Sequence, residues 1–404
     1  MSDDALSNGL KTEFVGQRPR LLKLAVLTSL WTVLTLGFYR FWAKTRLRRW
    51  YWSSVRPGGS PLEYVGDPFE KLLGFLMAVV ILAFYIGIVN LILMFTSLSL
   101  FASSFTAYAA SLAGVIPIWF YARYRARRYV LARTRWRGVR FGLEPGAWGY
   151  AGRALWHWLI TMLSVGILWP RKTFYLEKYR TDRTVYGAAT LRQGGEWTML
   201  MPAFVHVLVG GIMTLVAVGA MLNEYMVMSA VTLVSGPYLI FGIIYYSVES
   251  TRLLANHKSA GEIRLSAAPR VGTVVRIYSF GYLATVLTCL IPVIPITALV
   301  GLIEFKKAEG AYQDGTFNPV SETSEIYGLP IAVWTVLGIA AYFAVLLLWS
   351  VLRYCFVIMP IWRHYAETLT IENPNDLKNI SQKQRDDFRE AEGFAEALDL
   401  WGAI

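Results

Sequence analysis

Eight apolar runs punctuate the chain, at about 21–39, 72–98, 105–121, 152–169, 198–222, 228–247, 272–303 and 329–358. A helix that crosses a bilayer needs roughly 20 apolar residues, within a range of about 17–25. The runs beginning at 72, 105, 198, 228 and 329 meet that length. The run at 272–303 is long enough but carries Pro292 and Pro295, which remove backbone hydrogen bonds and predict a kink or break. Two runs are marginal. Residues 21–39 contain Lys23 and Gly37, and 152–169 contain Arg153, His157 and Gly166 just ahead of Pro170.

The polar positions between the runs repeat. Apolar stretches lead into basic, aromatic arms at Tyr39–Trp52, Phe120–Phe141 and Trp169–Gly187, each closing on a short hairpin signal, and weaker copies follow at Tyr245–Leu265 and Met359–Thr370. An internal repeat of this length is the primary organisational signal in the chain. Unit one spans 14–141 and unit two 142–265, with Gly37 matching Gly166 and Glu63-Tyr-Val-Gly66 matching Thr184-Val-Tyr-Gly187. Unit three, 266–370, is irregular, with its prolines and a polar loop at 304–328. A polar N-terminus (1–13) precedes the repeats and an acidic tail (371–404) follows them. In the tail, Phe388, Ala391, Phe394, Ala395, Leu398 and Trp401 share one helical face.

Charge placement tests the membrane reading. If all eight runs cross, Lys and Arg divide 20 against 18 across the bilayer. If 21–39 and 152–169 dip in and return, they divide 36 against 2. The second arrangement obeys the positive-inside rule. The expectation is therefore an all-α, polytopic helical membrane protein with internal repeats. It has six full crossings plus two re-entrant or interfacial segments, the alternative being eight spans, with both termini cytoplasmic.

Composition agrees with a membrane protein. Of 404 residues, 55% are hydrophobic and 16% charged, against about 25% charged in soluble domains. The net charge is +12, and its placement beside apolar runs favours anionic lipid headgroups over nucleic acid as the partner. Cys289 and Cys355 lie within apolar runs, so neither a disulfide framework nor a zinc site is expected.

Three stretches, Thr35-Leu-Gly-Phe-Tyr-Arg-Phe-Trp-Ala-Lys44, Leu131-Ala-Arg-Thr-Arg-Trp-Arg-Gly-Val-Arg-Phe-Gly142 and Ala391-Glu-Gly-Phe-Ala-Glu-Ala-Leu-Asp-Leu400, carry a resemblance. With them the chain resembles the YjgN-type family of bacterial inner-membrane proteins, a domain of unknown function. The resemblance implies an inner-membrane location. It supplies no activity and no catalytic residues.

Candidate chemistry is sparse. His157 and His206 lie within apolar runs, where an ionisable side chain is a functional hypothesis and a neutral, hydrogen-bonded histidine is the plainer alternative. With Pro292 and Pro295 they would form a solute pathway, since broken helices and repeated units recur in transporters. Arg46, Arg49, Arg125, Arg128, Arg133, Arg135 and Arg137 are candidates for contacting anionic lipid or an anionic solute. Guanidinium groups hold phosphate bidentately, and simple anchoring at the membrane border is the alternative use. No metalloprotease, serine-hydrolase, phosphate-loop or dinucleotide signature is present, and no cofactor is expected. The first functional expectation is a transporter or permeation protein for an unknown small solute. The second is a membrane scaffold or anionic-lipid organiser with a basic cytoplasmic platform. An intramembrane enzyme trails both, and the sequence does not disclose the oligomeric state.

Overall fold

A computed structural model describes residues 9–101, 104–222, 230–313, 316–317, 325–326 and 329–382. Strand β1 (Leu10–Phe14) precedes helices α1 (Arg18–Leu34) and α2 (Arg40–Ser54), strands β2 (Val55–Pro57) and β3 (Leu62–Tyr64), and helices α3 (Pro68–Phe84), α4 (Asn90–Phe101) and α5 (Ser104–Ala132). Next come β4 (Thr134–Trp136), β5 (Val139–Leu143), α6 (Ala147–Leu163), α7 (Trp169–Thr181), β6 (Thr184–Tyr186), β7 (Ala189–Thr190) and β8 (Arg192–Gln193). Helices α8 (Met201–Leu222) and α9 (Thr232–Asn256) lead to β9 (Lys258–Ala260) and β10 (Ile263–Ala267). Helix α10 (Val271–Ala311) is followed by the hairpins β11–β12 (Tyr312–Gln313, Thr316–Phe317) and β13–β14 (Glu325–Ile326, Leu329–Pro330). Helix α11 (Ile331–Arg353), a π-helical turn at Tyr354–Ile358, α12 (Met359–Glu367) and β15 (Leu369–Glu372) complete the order.

Two compact units result. One comprises Met1–Gly16, Lys44–Val275 and Arg363–Ile404, the other Gln17–Ala43 and Arg276–Trp362. The first unit is built on two antiparallel sheets, a six-stranded one in the order β2-β1-β15-β10-β9-β8 and a five-stranded one in the order β3-β4-β5-β6-β7. Strand β1 alternates buried Leu10, Thr12 and Phe14 with exposed Lys11 and Glu13, the period-two pattern of a half-buried strand. Leu10, Trp136, Tyr186, Ile263 and Ile371 form one buried cluster drawn from both sheets, so the sheets enclose a common core. The chain passes between sheets twice, once from β2 to β3 and once from β7 to β8.

The pairing has a rule. Five helical excursions leave this sheet pair, and each is bounded by two strands hydrogen-bonded to each other: β1 with β2, β3 with β4, β5 with β6, β8 with β9, and β10 with β15. The basic arms are the returning ends of those excursions. The second arm closes on a two-residue turn, with Arg137 at φ 51° and Gly138 at φ 78°. Positive φ at both positions matches the right-handed twist of the strands. The hairpin signal expected after the first arm, where Gly58 and Gly59 lie, is a different feature. It carries the chain from one sheet to the other, since β2 pairs with β1 and β3 with β4.

These sheets overturn the all-α expectation, and the count of six full crossings plus two re-entrant segments, or of eight crossings, goes with it. Among the described residues only three helices are long and apolar enough to cross a membrane: Trp197–Leu222, Val271–Leu302 and Ala332–Glu367. Hydropathy counts apolar runs one at a time. It does not register that short strands, marginal as isolated hairpins, meet others more than a hundred residues away and become stable as sheets. The expected break at Pro292 and Pro295 is also absent, because α10 runs through both.

The two marginal runs share a local geometry. Run 21–39 becomes α1 and a turn with Leu36 at φ 50° and Gly37 at φ 93°, and run 152–169 becomes α6 and a turn with Val165 at φ 50° and Gly166 at φ 87°. In each, the glycine amide donates to a carbonyl five residues back, Thr32 O or Thr161 O, at 2.7 Å. This left-handed helix stop satisfies carbonyls the helix end would leave open. Leu36 and Val165 are 92% and 85% exposed, so each turn presents an apolar tip. Within the second unit, α1 packs on α11, and Gly281 of α10 lies against the Phe356 carbonyl of the π-helical turn.

Candidate functional site

Helices α2 and α7 and residues 121–132 of α5 together carry thirteen Lys and Arg and one acid, Glu177. Several arm cations stack on an aromatic ring one helical turn away. Arg123 lies 5.4 Å from the Trp119 ring, Arg125 5.8 Å from Tyr121, Arg133 4.6 Å from Tyr129 and Arg171 5.4 Å from Tyr175. Side chains four residues apart are neighbours on a helix surface, and a ring face attracts a guanidinium electrostatically.

The candidate arginines do not converge on one point. Arg46 and Arg49 are exposed on α2, with Arg49 donating to Gly66 O at 3.0 Å. Arg125 donates to the Tyr121 hydroxyl at 3.0 Å. Arg128 is half-buried, and its Nε has no hydrogen-bond partner. Arg133, in the turn after α5, donates through Nε and Nη2 to Glu70 Oε2 of α3, at 3.1 and 2.8 Å. Arg135, on β4, sits opposite Glu63 on β3 and Arg140 on β5. Arg137 is exposed at its turn, 4.8 Å above Trp136.

What does converge is a set of cations on Glu177. Its carboxylate accepts from Arg180 at 2.6 Å and from Lys258 at 2.7 Å, and Arg127 lies at 3.8 Å. Burial acts to raise the Glu177 pKa, but Arg180, Lys258 and Arg127 together outweigh it and hold the carboxyl well below the usual carboxylate range. One carboxylate therefore clamps α5, α7 and β9. Neither Glu177 nor Lys172 stood out by motif. The available signal for Glu177 was its isolation as the one acid within these three helical stretches.

The four pathway candidates are placed separately. His157 is buried on α6, stacked on Tyr175 at 5.1 Å with 7° between the planes, and its Nδ1 has no partner. Burial, then Arg171 and Arg153, push its pKa down, so it is neutral at pH 7. His206, on α8, has Nδ1 3.0 Å from the Tyr238 hydroxyl, and Phe241 and Tyr245 meet its ring edge-on. Pro292 and Pro295 lie inside continuous helix.

A family model described as a bacterial protein of unknown function, DUF898, matches residues 10–397. The chain belongs to that family. The match is to DUF898 as a whole, and the narrower YjgN-type likeness is not part of it. No curated protein and no solved structure matches the chain. This DUF898 member is a membrane-associated protein, and the family description assigns it no activity. Among the described residues, no three His, Cys, Asp or Glu side chains group to hold a metal ion. The amphipathic tail expected between Ser381 and Trp401 lies outside the described residues beyond Gln382, whose Oε1 accepts from the Arg140 amide at 2.8 Å.

Proposed function

We propose that the protein is a membrane-anchored scaffold whose basic arms engage anionic phospholipid headgroups at the cytoplasmic face of the bacterial inner membrane. One observation carries this reading. The three main arms carry eighteen Lys and Arg but only two acids, Glu177 and Asp182, and both acids are already engaged, Glu177 by Arg127, Arg180 and Lys258 and Asp182 by Lys178, so the arms are strongly basic. A polybasic surface beside a membrane is attracted to anionic lipid, by about 1 kcal/mol per cation near the surface. Of the seven candidate arginines, Arg46, Arg49 and Arg137 are exposed. Arg125 and Arg133 also hold the fold, through Tyr121 and Glu70. The transport reading draws less support, because α10 stays helical through its prolines and His206 is engaged by Tyr238.

The test is the lipid that accompanies the full chain when membranes are extracted into polymer nanodiscs. The wild type should carry phosphatidylglycerol in excess of its share of the membrane. The combined Arg46→Gln, Arg49→Gln and Arg137→Gln variant, with an unchanged Tm, should lose that excess. Undiminished enrichment in this variant rejects the reading.

A further inference from the structure

Between α5 and α6 lies an apolar slot of about 880 Å³, a volume within the range of sites that take small molecules. Ile116, Trp119, Gly152, Leu155, Trp158 and Met162 are among its lining residues, and no charged side chain contributes to its wall. A ligand inside it must be hydrocarbon. Leu159, Met162 and Trp156, which also line the slot, are 49%, 72% and 59% exposed, so the slot adjoins an open apolar surface of a membrane-associated chain.

Two cations stand against two of the three tryptophans of that wall. The Arg123 guanidinium lies 5.4 Å from the Trp119 ring. The Lys172 ammonium, on buried Lys172 of α7, lies 3.8 Å from the Trp158 ring and 3.0 Å from the Trp169 ring. Burial and the repulsion of Arg123 lower the Lys172 pKa to about 8, and no carboxylate counters them. Among the described residues neither cation is in an ion pair. Two neighbouring cations without an acid favour an anion between them, and a desolvated ammonium favours it more strongly than a hydrated one.

We propose that this slot binds one acyl chain of an anionic phospholipid, with the lipid phosphate bridging Arg123 and Lys172. The proposal rests on the reading of the arms as lipid-contacting and assigns that reading one discrete site. Charge beside the tryptophans and hydrocarbon along the wall select an amphiphile. A phosphodiester accepts hydrogen bonds from both cations at once, which a zwitterionic headgroup does less well because its own ammonium competes.

Native mass spectrometry of the detergent-extracted full chain tests it, with phosphatidylglycerol and phosphatidylcholine of matched chains as probes. One phosphatidylglycerol should be retained per chain, at least tenfold more than phosphatidylcholine. A Cβ at Gly152 meets nothing within 4 Å, so Gly152→Phe sends its ring into open space at the slot wall and should abolish retention of both lipids. Gly152→Ala should retain the adduct and serves as the folding control. The Arg123→Gln, Lys172→Gln variant should reduce phosphatidylglycerol retention to the phosphatidylcholine level. Equal retention of the two lipids by the wild type, or an undiminished adduct in Gly152→Phe, overturns the proposal. The Arg46, Arg49 and Arg137 variant keeps the slot. An adduct that survives there while bulk enrichment is unaffected rejects the platform alone, and a wild type that shows bulk enrichment but no Gly152-sensitive adduct rejects the slot alone.

Discussion

Glu177 closes the arms upon one another, and its removal exposes what the cations cost. Glu177→Gln leaves Arg127, Arg180 and Lys258 partly buried without a counter-charge, and breaking a buried pair from one side typically costs about 3 kcal/mol. The expected result is a clear fall in the Tm of the detergent-solubilised chain, partly restored by adding Lys258→Met. Because the folded pKa of Glu177 is depressed, its contribution is complete above the unfolded carboxylate pKa and is lost as pH falls through the folded value. Lys172 has the opposite consequence. Its folded pKa of about 8 lies below the ordinary lysine value, so the folded state sheds this proton first and stability rises with pH between about 8 and 10.5. Comparing Lys172→Met with the wild type across that window in lipid-free detergent isolates the effect: the variant should lack the rise. Equal slopes would remove Lys172 as its source. Glu177 could be singled out from the sequence as the one acid within the arm helices, whereas Lys172 could not. The tryptophan that encloses it, Trp158, belongs to another helix, and sequence spacing does not show which helices meet.

At the scale of elements, small residues decide how closely helices approach. Helices α8 and α9 form an antiparallel pair in which a Cβ on Gly210 would lie 2.8 Å from Leu239 Cα, and one on Gly242 2.8 Å from the His206 carbonyl carbon. Small residues at such contacts let backbones pack tightly where lipid supplies no hydrophobic drive. Gly242→Val should therefore cost about 1–3 kcal/mol and shift His206 away from Tyr238, whereas Gly211→Ala, with nothing within 4 Å of its Cβ, should be neutral. Thermal unfolding of the two variants side by side checks this, and equal Tm values would contradict it. The arms were legible at this scale because an aromatic and an arginine four residues apart must meet on a helix. Helix continuity through Pro292 and Pro295 was not. Two prolines three residues apart remove two hydrogen bonds while the turns on either side keep theirs, and packing decides whether that loss breaks the helix.

For the molecule as a whole, the sheets constrain topology. Strands joined by hydrogen bonds lie on one side of a bilayer, because an open sheet edge cannot be left in hydrocarbon. Each helical excursion is bounded by a paired couple of strands, so the sheets predict that both ends of each excursion lie on the same side of the membrane. Single cysteines at the exposed positions Ser53, Thr190 and Glu262, with Cys289 and Cys355 replaced, should all label with an impermeant maleimide in intact cells or all be protected. One labelled position beside two protected ones would break the shared-side argument. By itself the sequence determined the apolar runs, the basic arms, the two matched Gly37 and Gly166 turns and the membrane setting, because each depends on residues within a turn or two of one another. Only the tertiary structure decided that the arms end in shared sheets, that one carboxylate clamps three elements, and that two tryptophan-backed cations flank an apolar slot. Those features join residues distant along the chain, and their energies come from pairing and desolvation, which exist only after the chain has closed.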